Sequence, residues 1–232
     1  MRTVLVVAAE RRELRGILWR SGRVRRLDWR VRFARSAELN GQRLLMVAHG
    51  PGPRLTSEAL DVALEQQRPD ALVSTGFCGA LDASLRVGEV FVATRVENGR
   101  QAFEAAPPAT GQAFRSGALV SMGRVIGTVA EKRRLNAGGA AAADMEAATV
   151  AGRARQEGLP FYCVRAVLDR ASEGFTLDFN ELRGPDGRFS RTRILRAALA
   201  HPWAAAPELM RLERQGRIAA RALGEFLADC RF

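Results

Sequence analysis

Phe161-Tyr162-Cys163-Val164-Arg165-Ala166-Val167-Leu168 is apolar at nearly every position. Gly158-Leu159-Pro160 stops whatever precedes it, so the run reads as a strand buried on both faces, as in a sheet covered by helices. Arg165 breaks the pattern, because a guanidinium inside such a strand needs a carboxylate partner or a ligand. Upstream, residues 144–157 read as a helix whose inner side carries Met145, Ala148 and Gly152.

The same alternation of short apolar runs and longer helical patterns extends towards both ends. Residues 4–7, 30–34, 43–48, 71–74, 89–94 and 118–121 read as strands, and Asn40-Gly41 predicts a hairpin between the second and third. Residues 55–67 carry Leu55, Ala59, Val62 and Ala63 on one helical stripe. Residues 98–117 and 175–189 read as irregular segments. Two helices close the chain, at 192–200 and about 204–228, the last with Leu209, Leu212, Ala219, Leu223 and Phe226 on one side. No repeat or linker interrupts the pattern. The expectation is one domain over residues 1–232, a three-layer α/β/α sandwich around a central mixed, mostly parallel sheet.

Composition narrows the class. Apolar residues make up 47% of 232, enough for a buried core, and no apolar stretch approaches the ~18 residues that span a bilayer. Met1-Arg2-Thr3-Val4 runs straight into a strand without a signal-peptide cleavage site, so a cytoplasmic location is expected. Cys78, Cys163 and Cys230 suit reduced thiols, and with only His49 and His201 beside them no metal site is expected. The net charge is +11, and Lys132 is the only lysine among 36 basic residues. No RNA-binding motif or zinc finger accompanies that charge. It is read as solvated arginine, and no nucleic-acid partner is expected.

Four segments fall at strand ends, where open α/β sheets build their sites. They are Val7-Ala8-Ala9-Glu10-Arg11-Arg12-Glu13-Leu14, Ala48-His49-Gly50-Pro51-Gly52-Pro53, Ser74-Thr75-Gly76-Phe77-Cys78-Gly79-Ala80-Leu81 with Arg86-Val87-Gly88-Glu89, and Asp144-Met145-Glu146-Ala147-Ala148 paired with Arg165-Ala166-Val167-Leu168-Asp169. Singly each has a plain structural reading as turn geometry or a helix cap. In combination and order they resemble the nucleoside phosphorylase and nucleosidase superfamily. The tail, from Gly187-Arg188-Phe189 through Ile194-Leu195-Arg196-Ala197-Ala198-Leu199 to Pro202 and the arginine-rich last helix, is similar to its hopanoid-associated phosphorylase group. Members of that group are linked to removing adenine from adenosylhopane.

The resemblance implies cleavage of the N-glycosidic bond of a purine nucleoside. Asp169 would be the general acid to the base, Glu146 would bind the ribose hydroxyls and Glu13 would activate water. Met145, Phe77, Gly76, Cys78, Val125, Ile126 and Arg165 would surround ribose and base, with Gly50 and Gly52 in the turn near the nucleophile. Hexameric phosphorylases of the superfamily bind phosphate with an arginine where Glu13 stands, another near Ser74 and a serine near Phe77. None of these is present, so hydrolysis is favoured and phosphate as co-substrate is the alternative, through Arg11, Arg12 or Arg54. Methylthioadenosine/S-adenosylhomocysteine or futalosine cleavage and a non-catalytic nucleoside-binding protein also stay open. Two departures reshape the expected site: Leu168 replaces the serine or threonine that holds the acid, and Val125 replaces a phenylalanine that stacks on adenine. A homodimer or hexamer is implied, with peripheral membrane contact if the substrate is a lipid.

Overall fold

β1 (Thr3–Ala8) is covered on both sides, and its alternation shows how. Leu5 and Val7 enter one apolar layer, while Val4, Val6 and Ala8 enter the other. The first layer is completed by α2 (Pro53–Gln66) and α4 (Ala147–Glu157), through Ala59, Leu60, Ala63, Val150 and Ala154. The second is completed by α1 (Arg11–Arg20) and the C-terminal α5 (Pro202–Asp229), through Leu14, Ile17, Ala219, Leu223 and Phe226. Helices therefore cover both faces of the sheet, as the sequence pattern predicts. The computed structural model describes residues 1–184, 186–189, 192–193, 196–197 and 202–232; most of the helix expected at 192–200, and His201, lie outside them.

Among the described residues the sheet has ten strands. After β1 come β2 (Gly22–Arg26), β3 (Phe33–Leu39), β4 (Gln42–Ala48), β5 (Ala71–Ala80), β6 (Val90–Glu97), β7 (Ala102–Glu104), β8 (Arg115–Ser121), β9 (Ala140–Asp144) and β10 (Phe161–Asp169). The sheet is mixed. β4, β1, β5 and β10 run parallel at its centre, with antiparallel β3 and β2 beyond β4. β5 also pairs with β9, and the pairings β5–β10–β6–β8–β9–β5 close on themselves. The carboxyl ends of β1, β4, β5 and β10 thus open on one side, beside β9.

Several bounds differ from the sequence reading for identifiable reasons. The Asn40-Gly41 turn has two residues with φ of 51° and 74° and sets Leu39 opposite Gln42. Pairing then runs back only to Phe33, so the strand expected at 30–34 is displaced to β3. The helix expected from Asp144 begins at Ala147, because Asp144 ends β9. The segment 98–117, read as irregular, contains β7 and the start of β8. α1, β2, α3 (Val129–Ala137) and β9 have no counterpart in the sequence reading. All five residues of β2 are exposed, and β9 is alanine apart from its last residue, so neither shows a strand pattern.

α1 and α5 meet at a glycine crossing that leaves no room for a side chain. A Cβ on Gly16 would stand 2.6 Å from the Gly224 Cα and 3.2 Å from the Ala220 carbonyl oxygen. Gly16→Val must part the helices, a cost of about 1–3 kcal/mol or more. At roughly 2–4 °C per kcal/mol for a chain of this size, thermal melts should show a clear drop. Gly123→Ala, where nothing lies within 4 Å, should melt as the parent does. Equal melting of all three proteins would show that the crossing is not close-packed.

Candidate active site

Arg165, the anomaly of the β10 run, is completely buried. Its Nε donates to Asp144 Oδ2 at 3.1 Å, its Nη2 donates to the same oxygen, and Nη2 also donates to Ser74 Oγ at 2.7 Å. Asp144 Oδ2 further accepts from the backbone N–H of Ala147 at 2.8 Å and of Glu146 at 3.2 Å. One oxygen therefore joins β10 to the end of β9 and caps α4. This corrects the sequence expectation for Arg165: it does not face the cavity, because Asp144 already occupies it, and it acts beneath the site.

Glu146 follows Asp144 by two residues and accepts the Gly52 N–H on Oε1 at 2.6 Å. Burial, and then the Asp144 charge, push its carboxyl well above the usual carboxylate range, with Arg165 pulling the other way. Glu13 is the third residue of α1 and forms a capping box with Glu10. Its Oε2 accepts the Glu10 N–H at 2.8 Å and its Oε1 the Phe77 N–H at 3.0 Å. Burial raises it from 4.5 to about 7, opposed chiefly by the backbone hydrogen bond from Glu10. Gly76 is what allows this seat, since a Cβ there would lie 2.8 Å from Glu13 Oε1 and the backbone has φ of 143°.

Asp169 ends β10 and is bound through Oδ2 by the ammonium of Lys132 on α3. Burial raises its pKa above the ordinary range, with the Lys132 charge opposing. Gly79 lies alongside, where a Cβ would come 3.3 Å from Asp169 Oδ2. Nothing in the motif reading singled out Lys132 for the site. The one available signal was its status as the only lysine in an arginine-rich chain.

Glu13, Glu146 and Asp169 line one cavity of about 410 Å³. Met145, Phe77, Cys78, Val125 and Ile126 line it too, while Gly76, Gly50 and Gly52 do not. Gly76 instead seats Glu13, and Gly52 holds Glu146. Gly50 borders an adjoining groove of about 510 Å³ with Arg11, Arg35, Arg188 and His49. Burial pushes the Cys78 thiol far above its ordinary range, which favours its neutral form. A further part of the lining is an edge-to-face file of Phe175, Phe179 and Phe189 with centroids 5.2 and 6.1 Å apart, joined by Leu209 and Leu212 of α5. A larger groove of about 960 Å³ along α5 holds none of the three carboxylates, so size alone does not select the site. Among the described residues no group of three or more His, Cys, Asp or Glu is placed to hold a metal ion.

Removing one member of the Arg165–Asp144 pair strands the other, at a cost of about 3–5 kcal/mol. Arg165→Met and Asp144→Asn should each lower stability to urea by that order, and the double substitution by less than the sum. Strictly additive losses would mean the groups do not support each other. Glu13 binds its proton more tightly in the fold than in the unfolded chain. Its contribution is therefore whole below 4.5 and lost as pH rises through about 7. Unfolding free energy should decline from pH 5 to 8, and Glu13→Gln, which cannot ionise, should flatten that decline. An unaltered slope would contradict the assignment.

Comparison with known proteins places the fold among nucleosidases and phosphorylases. Curated relatives include the 5'-methylthioadenosine/S-adenosylhomocysteine nucleosidases of Shewanella piezotolerans, 27% identical over 63% of this chain and 76% of that protein, and of Psychromonas ingrahamii, 28% identical over 62% and 75%. Among solved structures, the S-adenosylhomocysteine nucleosidase of Streptococcus pyogenes superposes with a TM-score of 0.71 at 17% identity, over 98% of this chain and 96% of that one. The Neisseria meningitidis 5'-methylthioadenosine/S-adenosylhomocysteine nucleosidase gives 0.68 at 20% identity, over 98% and 99%. The family model described as "Phosphorylase superfamily" matches residues 24–111 and 97–200, well over half of the sequence, with Glu13 outside the matched span. The chain belongs to the phosphorylase superfamily.

Proposed function

We propose that this protein is a nucleosidase that hydrolyses the N-glycosidic bond of a purine nucleoside. The observation that carries the reading is the convergence of Glu13, Glu146 and Asp169, far apart in sequence, on one cavity. Breaking the bond requires a proton on the departing base, stabilisation of positive charge on the ribose, and a nucleophile on the opposite face. Asp169 is assigned as the acid to the base. Glu146, held through Oε1, keeps Oε2 for ribose hydroxyls. Glu13, raised to about 7 by burial, is matched to deprotonating water near neutral pH.

Hydrolysis is favoured over phosphorolysis because the attacking side holds a carboxylate. The cavity arginines are engaged elsewhere: Arg12 pairs with Glu10 at 2.7 Å and Arg124 with Glu131. The aromatic file with Leu209 and Leu212 supports an apolar 5′ substituent. Methylthioadenosine, the substrate class named for the relatives, fits that description, and so does adenosylhopane, favoured by the tail's similarity to the hopanoid-associated group. α5 exposes Trp203, Met210 and Ile218 beside Arg214 and Arg217, which supports peripheral membrane contact with a lipid substrate. The continuous sheet supports one domain over residues 1–232, the buried free cysteines suit a cytoplasmic location, and a homodimer or hexamer is proposed. Among the described residues no helix is long and apolar enough to cross a membrane.

The test is incubation with adenosine, inosine, methylthioadenosine, S-adenosylhomocysteine, futalosine and adenosylhopane, with and without phosphate, scoring free base. Base should be released in phosphate-free buffer, and Asp169→Asn or Glu13→Gln should lower kcat by about 10²–10⁴-fold. Release only with phosphate would make the protein a phosphorylase. Binding without release from any substrate would favour a nucleoside-binding protein.

A further inference from the structure

Lys132 is the one buried residue of α3, at 1% exposure. Its ammonium donates to Asp169 Oδ2 and, at 2.7 Å, to the Arg170 carbonyl oxygen, and the Phe175 ring centroid lies 5.7 Å from Nζ. Stability alone is a poor reason for this arrangement. Taking both charges out of water costs several kcal/mol per ion, and an apolar pair of similar volume is often as stable. The pair also stands at the cavity wall, where Leu168 supplies no hydroxyl to hold the carboxylate. With Oδ2 taken by the lysine, Oδ1 is the oxygen left for a base.

We propose that Lys132 is a positioning residue that fixes the Asp169 carboxylate and supplies the proton Asp169 hands to the leaving base. The proposal rests on the nucleosidase reading and deepens it. As the C1′–N9 bond breaks, its electron pair stays on the base, and the base takes a proton at N7 from Asp169. That proton reaches Asp169 from the Lys132 ammonium, the transfer to the carboxylate preceding the one to N7, so the carboxylate is restored and the lysine is left neutral. Water adds its hydroxide to C1′ and its proton to Glu13. Loss of that proton to solvent and reprotonation of Lys132 close the cycle. Glu173 and Arg211 are the other charges acting on Asp169.

The test uses the purine nucleoside cleaved fastest by the parent enzyme in the panel above. Lys132→Met should lower kcat by about 100-fold or more with KM within about threefold of the parent, and Lys132→Arg should recover about tenfold of the loss. In an Asp169→Asn background Lys132→Met should cause no further loss, because the group it acts through is gone; a merely structural lysine would lower both backgrounds alike. Should Lys132→Met fail to fold, the Lys132→Met/Asp169→Asn protein, which leaves no unpaired carboxylate, is compared with Asp169→Asn alone. Unchanged kcat in Lys132→Met, or equal losses in both backgrounds, overturns the lysine's role while the nucleosidase reading stands. A parent enzyme that releases no base from any substrate overturns both.

Discussion

The buried pair between Arg165 and Asp144 is the constraint on which the site depends. Both side chains are fully excluded from solvent, so the guanidinium must satisfy its donors inside the sheet. It does so by drawing together the middle of β10, the end of β9 and Ser74 of β5. The oxygen that accepts from Arg165 also receives the first backbone N–H groups of α4. The place where α4 begins, and with it the direction of Glu146, therefore follows from a charge pair whose cation lies beneath the cavity and whose carboxylate residue borders it. The same cation acts at longer range, favouring the ionised forms of Glu13 and Glu146 against the effect of burial.

The carboxylates consequently fall into two electrostatic groups. Glu13 and Glu146 share the influence of Arg165, while Asp169 has its own cation in Lys132. A low-dielectric cavity strengthens such differences. Desolvation pushes all three towards the neutral form, and what separates them is the identity and distance of the compensating charge. Glu13 is braced by two backbone N–H donors, an arrangement suited to holding a carboxylate still while it accepts a proton. Asp169 is braced by an ammonium that itself carries protons. In the proposed mechanism, acceptor and donor are the same functional group, a carboxyl, set apart by different surroundings.

Much of this was legible in the sequence, and the remainder resisted for physical reasons. Asn40-Gly41 announced its hairpin because both residues tolerate positive φ. The 161–168 run announced a central strand because burial on both faces leaves no room for alternation. Arg165 could be flagged as needing a partner, yet not matched to one, since Asp144 lies 21 positions away and read equally well as a helix cap. It is in fact both. α3 escaped notice because Lys132 is its one buried residue, so it shows no apolar stripe. The same feature hid the lysine's meaning, as burial of a cation cannot be read from a pattern that only apolar residues make visible.

The C-terminal helix links these levels in a way no local motif could show. Its second half is locked to α1 at Gly16 and Gly224, where backbone meets backbone, and α1 carries Glu13 less than one turn from that crossing. Its first half is held by other means: Ala205 and Glu208 are buried, Glu208 accepts the Thr176 and Leu177 N–H groups, and Leu209 and Leu212 are half-buried in the cavity wall, while Trp203 and Met210 face outwards. Leu212 and Gly224 are about 18 Å apart along the axis at ~1.5 Å per residue. Local stability follows buried contact, and the two halves have it in different forms, backbone packing at the glycine crossing and buried side-chain hydrogen bonds towards the cavity wall. In the proposed mechanism the crossing sets the position of α1, and with it Glu13, the group assigned to water, while the first half of the helix supplies leucines to the wall proposed to meet the 5′ substituent. One helix thus meets both α1 and the cavity wall, through where Gly224, Leu209 and Leu212 fall along its 28 positions.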